Sequence, residues 1–106
     1  MALIDVAVFG SPTLRYRTGC CGSRSLEELT ASFARRVASR YGAGVAVRYV
    51  DVEQARSRED AVIAQAVRAG RVRLPVVAID GRVRYSGLFT PTFVLRDLDR
   101  LLSRAR

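Results

Sequence analysis

The fold of this chain is predicted most directly by residues 73–87, which read RLPVVAIDGRVRYSG. The segments Val76–Ile79 and Arg82–Tyr85 have the apolar and β-branched content of strands, and the Asp80-Gly81 pair between them is the strongest short hairpin signal. Pro75 comes immediately before the first strand. Its spacing alone favours a trans bond, although an X-Pro bond can also be cis. The stretch therefore predicts an antiparallel hairpin that begins after a proline.

The first half of the chain predicts a βαβ unit. Ile4–Gly10 is a short apolar run followed by a turn signal, and Val45–Val52 is a second run of the same kind. Between them, Ser25 and Glu28 have the spacing of a capping box at the start of a helix. The residues from Ser11 to Ser23 are predicted to form a loop. Two strands joined by a helix of this length form a right-handed parallel unit in nearly every known case.

Two further helices complete the pattern. Ser57 and Asp60 predict the start of the second helix, and Gly70 predicts its end. Thr90 and Pro91 predict the start of the third. The buried stripes are expected at Val62, Ile63, Ala66 and Val67 in the second helix, and at Phe93, Val94, Leu98, Leu101 and Leu102 in the third. The order β-α-β-α-β-β-α predicts one three-layer α/β/α domain over residues 1–106, with a mixed four-stranded sheet.

The reactive groups of the chain are the adjacent thiols Cys20 and Cys21. They are its only cysteines, and the chain has no histidine. Histidine-based acid–base chemistry is therefore excluded, and chemistry is expected at sulfur. A disulfide between adjacent cysteines is strained, since their Cα atoms are about 3.8 Å apart across a trans peptide. Such a bond suits a transient switch better than a permanent cross-link. The alternative is that both cysteines have no chemical role and are simply small residues in a loop.

The charge is strongly positive, with a formal net charge of +8, and every basic residue is arginine. The arginines are distributed over all segments, whereas nucleic-acid binders concentrate them on one element or among exposed aromatics. The sequence order therefore argues against a nucleic-acid partner. No apolar run approaches the roughly 18 residues of a membrane span, and the N-terminus lacks a basic signal-peptide region. These features predict a cytoplasmic protein without a membrane partner.

The element order, the cysteine motif after the first strand and the Leu74-Pro75 pair before the third core strand resemble the thioredoxin-like superfamily over essentially the whole chain. Within it, the chain is similar to the YuzD-like group of disulfide oxidoreductases, which shares a YIDI-like second strand, here Tyr49-Val50-Asp51-Val52. The resemblance implies that the Leu74–Pro75 bond is cis and packs beside the reactive thiol. It also implies a thiol–disulfide oxidoreductase or redox sensor that needs no cofactor and acts on protein or small-molecule thiols and disulfides.

The resemblance assigns the candidate catalytic residues. The motif reads Thr18-Gly19-Cys20-Cys21, so Thr18 stands where the redox group has its first cysteine. Cys21 matches the cysteine nearer the helix and is the expected nucleophile, with Cys20 resolving the mixed disulfide. Pro75 completes the set. The opposite assignment of the two thiols stays open, because in most relatives the first cysteine attacks.

Two other functions stay open at this stage. Adjacent cysteines and an LP-led strand running into a DG turn also resemble the arsenical-resistance metallochaperone ArsD, which has a third cysteine where this chain has none. Under that alternative, Cys20 and Cys21 bind a thiophilic metal or metalloid ion, since soft ions prefer thiolates. The second alternative is a non-catalytic domain whose basic surface binds an acidic partner or nucleic acid.

Overall fold

The computed structural model describes residues 3–12, 15–18 and 22–104. In chain order its elements are β1 (Ile4–Gly10), β2 (Arg15–Thr18), β3 (Gly22–Ser25), α1 (Leu26–Tyr41), β4 (Val45–Asp51), α2 (Arg58–Arg68), β5 (Val76–Ile79), β6 (Arg82–Ser86) and α3 (Pro91–Arg104). Short 3-10 turns at Gly42–Gly44 and Val52–Gln54 flank β4.

The main sheet has four strands in the order β4-β1-β5-β6. β1 is parallel to β4 and antiparallel to β5, and β5 is antiparallel to β6. The predicted βαβ unit and the predicted hairpin are both confirmed. The central position of β1 explains its composition, because a strand covered on both faces must be apolar throughout.

Helices cover both faces of this sheet, which confirms the predicted three-layer architecture. On one face, α1 and α3 pack on β1 through a core that includes Val6, Val8, Phe33, Val94 and Leu98. On the other face, α2 packs through a smaller core that includes Ala7, Phe9, Val50, Ile63 and Val76. The side chains of β1 alternate between the two cores, as the twofold periodicity of a strand requires.

The local signals in the sequence account for where the elements begin and end. The Ser25 hydroxyl accepts a hydrogen bond from the Glu28 N–H, and the Glu28 carboxylate accepts one from the Ser25 N–H, so the capping box is formed. Gly42 ends α1 at φ +63°, a conformation that favours glycine. The Asp80-Gly81 turn has φ values of 52° and 81°, as a two-residue hairpin of the primed type requires.

The prediction that Ser11 to Ser23 form a loop is wrong. The described part of this segment contains β2 and the start of β3, which pair with each other as a separate antiparallel hairpin, with Thr18 opposite Gly22 and Arg15 opposite Ser25. The sequences RYRT and GSRS lack an apolar alternation, so no hydrophobic pattern marks them as strands. Backbone pairing defines this hairpin.

The prediction that Val62 and Phe93 are buried in the core is also wrong. Val62 is 65% exposed and Phe93 is 45% exposed. In α2 the buried positions are Asp60, Ile63 and Ala64. The face of α2 that packs on the sheet therefore includes the carboxylate of Asp60, which the apolar pattern did not predict. Tertiary packing decides how the helix is rotated, since a one-residue shift in a short helix changes which side chains face the sheet.

Candidate functional site

The candidate site lies at the edge of the sheet where the parallel strands β1 and β4 end. In the sheet register, Gly10 at the end of β1 lies opposite Asp51 at the end of β4. On its other side, Phe9 lies opposite Val76, the first residue of β5, so Pro75 enters the sheet beside Gly10. This edge therefore brings together the start of the cysteine-bearing segment, which follows Gly10, and the predicted site residue Pro75.

The turn around Pro75 is held by backbone hydrogen bonds. The Leu74–Pro75 bond is cis, which confirms that prediction, and Pro75 is buried. The Gly87 N–H donates to the carbonyl oxygens of Arg73 and Pro75 at 2.8 and 2.9 Å, and the Arg73 N–H donates to Ser86 Oγ at 2.8 Å. The backbone of Leu74 is outside this set of hydrogen bonds. An extended partner strand would need such backbone groups to pair at this edge.

A close contact between Gly10 and two side chains places the start of α1 over the same edge. A Cβ atom at Gly10 would lie 2.5 Å from Leu26 Cδ2 and 3.0 Å from the Tyr49 ring and hydroxyl. Leu26 is the first residue of α1 and is fully buried. Only glycine leaves room here for α1 to begin directly above the end of β1.

The thiol pair itself lies outside the described residues. Cys20 and Cys21 belong to residues 19–21, which connect the paired ends of β2 and β3. Thr18 is the last residue of β2, and its backbone pairs with Gly22. Along the chain, the extended strand β3 separates Cys21 from the first turn of α1.

The hairpin is connected to the first turns of α1 through the side chain of Arg24 in β3. Arg24 Nε lies 3.9 Å from Glu28 Oε2, and Arg24 Nη2 donates to Ser32 Oγ at 3.4 Å. The Glu28 N–H is one of the first amides of α1, which have no partner within the helix. It donates a hydrogen bond to Ser25 Oγ. This amide is therefore committed to the capping box.

A cleft of about 430 Å³ opens next to the same edge, between the end of β4, the segment before α2 and the first turn of α1. Its lining includes Glu27, Tyr49, Asp51 and Arg56. The helices α1 and α2 cover opposite faces of the sheet beside the neighbouring strands β1 and β4, and such a divergence creates a crevice at the carboxyl ends of parallel strands. The cleft offers charges of both signs to a polar group.

The floor of this cleft contains an ion-pair cluster that the sequence analysis missed. Arg48 in β4 forms salt bridges with Asp5 in β1 and with Asp60 in α2, at 2.9 and 2.6 Å. Hydrogen bonding to these two carboxylates raises the pKa of Arg48, and hydrogen bonding to Arg48 lowers the pKa of Asp60. A usable signal was present: Asp5 is a carboxylate inside an otherwise apolar strand, which indicates a charged partner on a neighbouring element.

The described part of the chain lacks two features that would indicate other functions. Within residues 3–12, 15–18 and 22–104 there is no group of three or more metal-ligating side chains. The same residues contain no helix that is both long and apolar enough to cross a membrane.

Comparison with known proteins supports the fold. The α/β/α layers and the mixed four-stranded sheet are consistent with a thioredoxin-like fold. The chain is similar in structure to SA0789, a Staphylococcus aureus protein of unknown function, with a TM-score of 0.74 and 13% sequence identity over 96% of this chain and 94% of that chain. No protein-family model matches the sequence, and no curated protein matches it.

Proposed function

We propose that the protein is a cytoplasmic thiol–disulfide oxidoreductase or redox sensor that acts through Cys20 and Cys21, as the resemblance to the YuzD-like group implies. The observation that carries this proposal is the sheet register at Gly10. The segment with both thiols leaves the sheet at Gly10, and Pro75 enters the sheet on the adjacent strand beside it. In thioredoxin-like proteins the proline-led turn packs beside the reactive thiol, and the register of β1 and β5 supports the same relation here, since the chain from Gly10 leads to both cysteines.

The reaction is a two-electron exchange. The thiolate of Cys21 attacks a substrate disulfide, the substrate S–S bond breaks, and one substrate sulfur leaves and takes up a proton. The Cys20 thiol then loses its proton and attacks the mixed disulfide, which releases the second substrate thiol. The protein is left with a Cys20–Cys21 disulfide, and the substrate has gained two electrons and two protons. Strain in a disulfide of adjacent cysteines favours its rapid reduction by an external thiol such as glutathione.

Partner binding is proposed at the Pro75 turn. Leu74 is half-buried, carries no charge and has no hydrogen-bonding side chain, and Leu88 beside the turn residue Gly87 is 45% exposed. An extended peptide would therefore be held by backbone pairing at Leu74 and by apolar contact. Thr18, at the end of β2, is proposed to donate its hydroxyl to the thiolate.

Thiol reactivity tests this proposal. The rate of alkylation is measured against pH for the variants Cys20→Ser and Cys21→Ser, and the free thiols of the wild type are counted in glutathione buffers of graded potential. We expect one thiol to react well below the ordinary cysteine pKa of about 8.5, and both thiols to disappear together with a mass loss of two hydrogens. Two thiols that titrate near pH 8.5, with no intramolecular disulfide at any potential, would exclude redox activity.

An arsenite titration distinguishes the metallochaperone alternative. Under that alternative, stoichiometric arsenite removes both free thiols of the reduced protein, with Cys20 and Cys21 as ligands, and no disulfide substrate is turned over. Under the proposed function, the protein reduces a disulfide substrate and Cys20→Ser stops the reaction at a mixed disulfide. The double variant Cys20→Ser/Cys21→Ser is the control for both measurements.

A further inference from the structure

The two carboxylates of α3 are each engaged by a tyrosine on a neighbouring element. Asp97 accepts a hydrogen bond from the Tyr85 hydroxyl of β6 at 2.6 Å. Asp99 accepts one from the Tyr41 hydroxyl of α1 at 2.7 Å and forms a 2.7 Å salt bridge with Arg40. Asp97 therefore faces the β6 side of α3, and Asp99 faces the α1 side.

The outward ridge of α3, between these two aspartates, contains three arginines and one aromatic ring. Arg96, Arg100 and Arg104 follow one another at spacings of four residues, which places them along one side of the helix. All three are exposed, and none forms an ion pair with any residue in the described ranges. Phe93 begins the ridge, is 45% exposed, and lies with its ring centroid 5.7 Å from the Arg96 guanidinium carbon.

Shallow grooves on both sides of the ridge continue the basic surface. Between α3 and α1, a groove of about 360 Å³ is lined in part by Arg36, Arg40 and Arg96. Between α3 and β6, a smaller groove of about 100 Å³ is lined in part by Arg84, Arg100 and Arg104. The ridge and its two grooves form one surface, the basic face.

The fold separates charges that the sequence distributes evenly. In the described residues, the ridge and the two grooves contain six arginines and two aspartates, for a net charge of +4. The arginines are Arg36, Arg40, Arg84, Arg96, Arg100 and Arg104, and the aspartates are Asp97 and Asp99. Residues 51–73, which contain α2 on the opposite face, have five arginines and four acidic residues, for a net charge of +1. Half of the net charge of +8 is therefore on this one face.

We propose that the basic face binds single-stranded nucleic acid. Arginine is the preferred partner of phosphate oxygens, because its planar guanidinium donates two parallel hydrogen bonds. An exposed aromatic ring beside basic grooves, as Phe93 is here, provides a stacking surface for an unpaired base, and single-stranded binders combine these two features. The position of Phe93 next to Arg96 favours a nucleic acid over an acidic protein, which would need the charges alone. This binding is independent of the thiols.

The test is fluorescence anisotropy of a labelled oligothymidylate of about 20 nucleotides, titrated with the protein at several salt concentrations. We expect log affinity to fall linearly with log salt, with a slope of about −0.7 for each phosphate contact on a single strand. The variant Arg96→Gln/Arg100→Gln/Arg104→Gln should reduce the magnitude of this slope by about 2. Phe93→Leu should weaken binding about tenfold without changing the slope.

The matched control is Arg56→Gln/Arg58→Gln/Arg71→Gln, which removes the same charge from exposed positions around α2. This control should keep the wild-type slope, and Cys20→Ser/Cys21→Ser should keep the wild-type affinity. Circular dichroism confirms that each variant is folded. An equal loss in both triple variants, displacement of the oligonucleotide by polyglutamate at the same charge concentration, or no binding at low salt would each overturn the proposal.

Discussion

Arg48 in β4 donates two hydrogen bonds to the carboxylate of Asp60 in α2, at 2.6 and 2.9 Å. The same guanidinium donates two more to Asp5 in β1, at 2.9 and 3.1 Å. One side chain therefore links the two parallel strands to the helix that covers them. Asp60 is almost completely buried, so its charge depends on this partner.

The substitution Asp60→Asn should lower the free energy of unfolding by about 2 kcal/mol, because it removes a charge-assisted pair and leaves part of Arg48 uncompensated. Urea unfolding measures this change. The neighbouring exposed carboxylate gives the control, and Glu59→Gln should change stability by less than about 0.5 kcal/mol. Equal effects of the two substitutions would show that the Arg48–Asp60 pair does not stabilise α2 on the sheet.

The Arg48–Asp60 pair also predicts that the stability of the protein depends on pH in the acid range. Hydrogen bonding to Arg48 lowers the pKa of Asp60 below its ordinary value of 3.8, so the unfolded chain takes up this proton first. The stabilisation is therefore present above the ordinary pKa and is lost as the pH falls through the lower folded-state pKa. The stability difference between wild type and Asp60→Asn should shrink over this range in urea titrations at graded pH. A difference that stays constant down to the lowest pH would contradict this prediction.

Tyr41 and Tyr85 predict that the stability of the protein depends on pH in the alkaline range. Burial, together with a hydrogen bond to Asp99 or Asp97, raises the pKa of each phenol from 10.0 to about 12. The folded state favours the neutral phenols, so this stabilisation is present below pH 10 and is lost as the pH rises toward 12. Ultraviolet titration of tyrosinate should show two late-ionising groups in the folded protein.

Tyrosine-to-phenylalanine variants show which tyrosines ionise at the higher pH. Tyr41→Phe and Tyr85→Phe should each remove one late-ionising group and leave the other. If every tyrosine of the protein ionises near pH 10 while circular dichroism shows a native fold, the two hydroxyl–carboxylate hydrogen bonds are absent in solution.

Gly10→Ala should destabilise the protein by about 1–3 kcal/mol, because its new Cβ would lie 2.5 Å from Leu26 Cδ2 and force the first turn of α1 away from β1. Gly44→Ala is the control, since a Cβ at Gly44 would meet nothing within 4 Å. Thermal and urea unfolding compare the two variants. Equal stability of both would mean that α1 is free to move over the end of β1.

Much of the fold was predictable because its signals are local. The Ser25–Glu28 capping box, the Asp80-Gly81 turn and the apolar run Ile4–Gly10 depend on residues within a few positions of each other, and the structure confirms all three. The hairpin of β2 and β3 was not predictable from an apolar pattern, because backbone pairing defines it. The chemistry of Cys20, Cys21 and Thr18 stays a prediction.

The sequence by itself determined the order of the helices and of the four strands of the main sheet, their capping and the absence of histidine, since these properties depend on residue type and short spacing. Only the tertiary structure decided which distant charges meet. Arg48 joins Asp5 and Asp60 because the parallel register places β4 beside β1 and α2 packs over both. The arginines of α1, β6 and α3 form one basic face because α1 and α3 cover the same side of the sheet and β6 is the edge strand beside α3. Charges act over distances in space, and a linear sequence does not contain those distances until the chain folds.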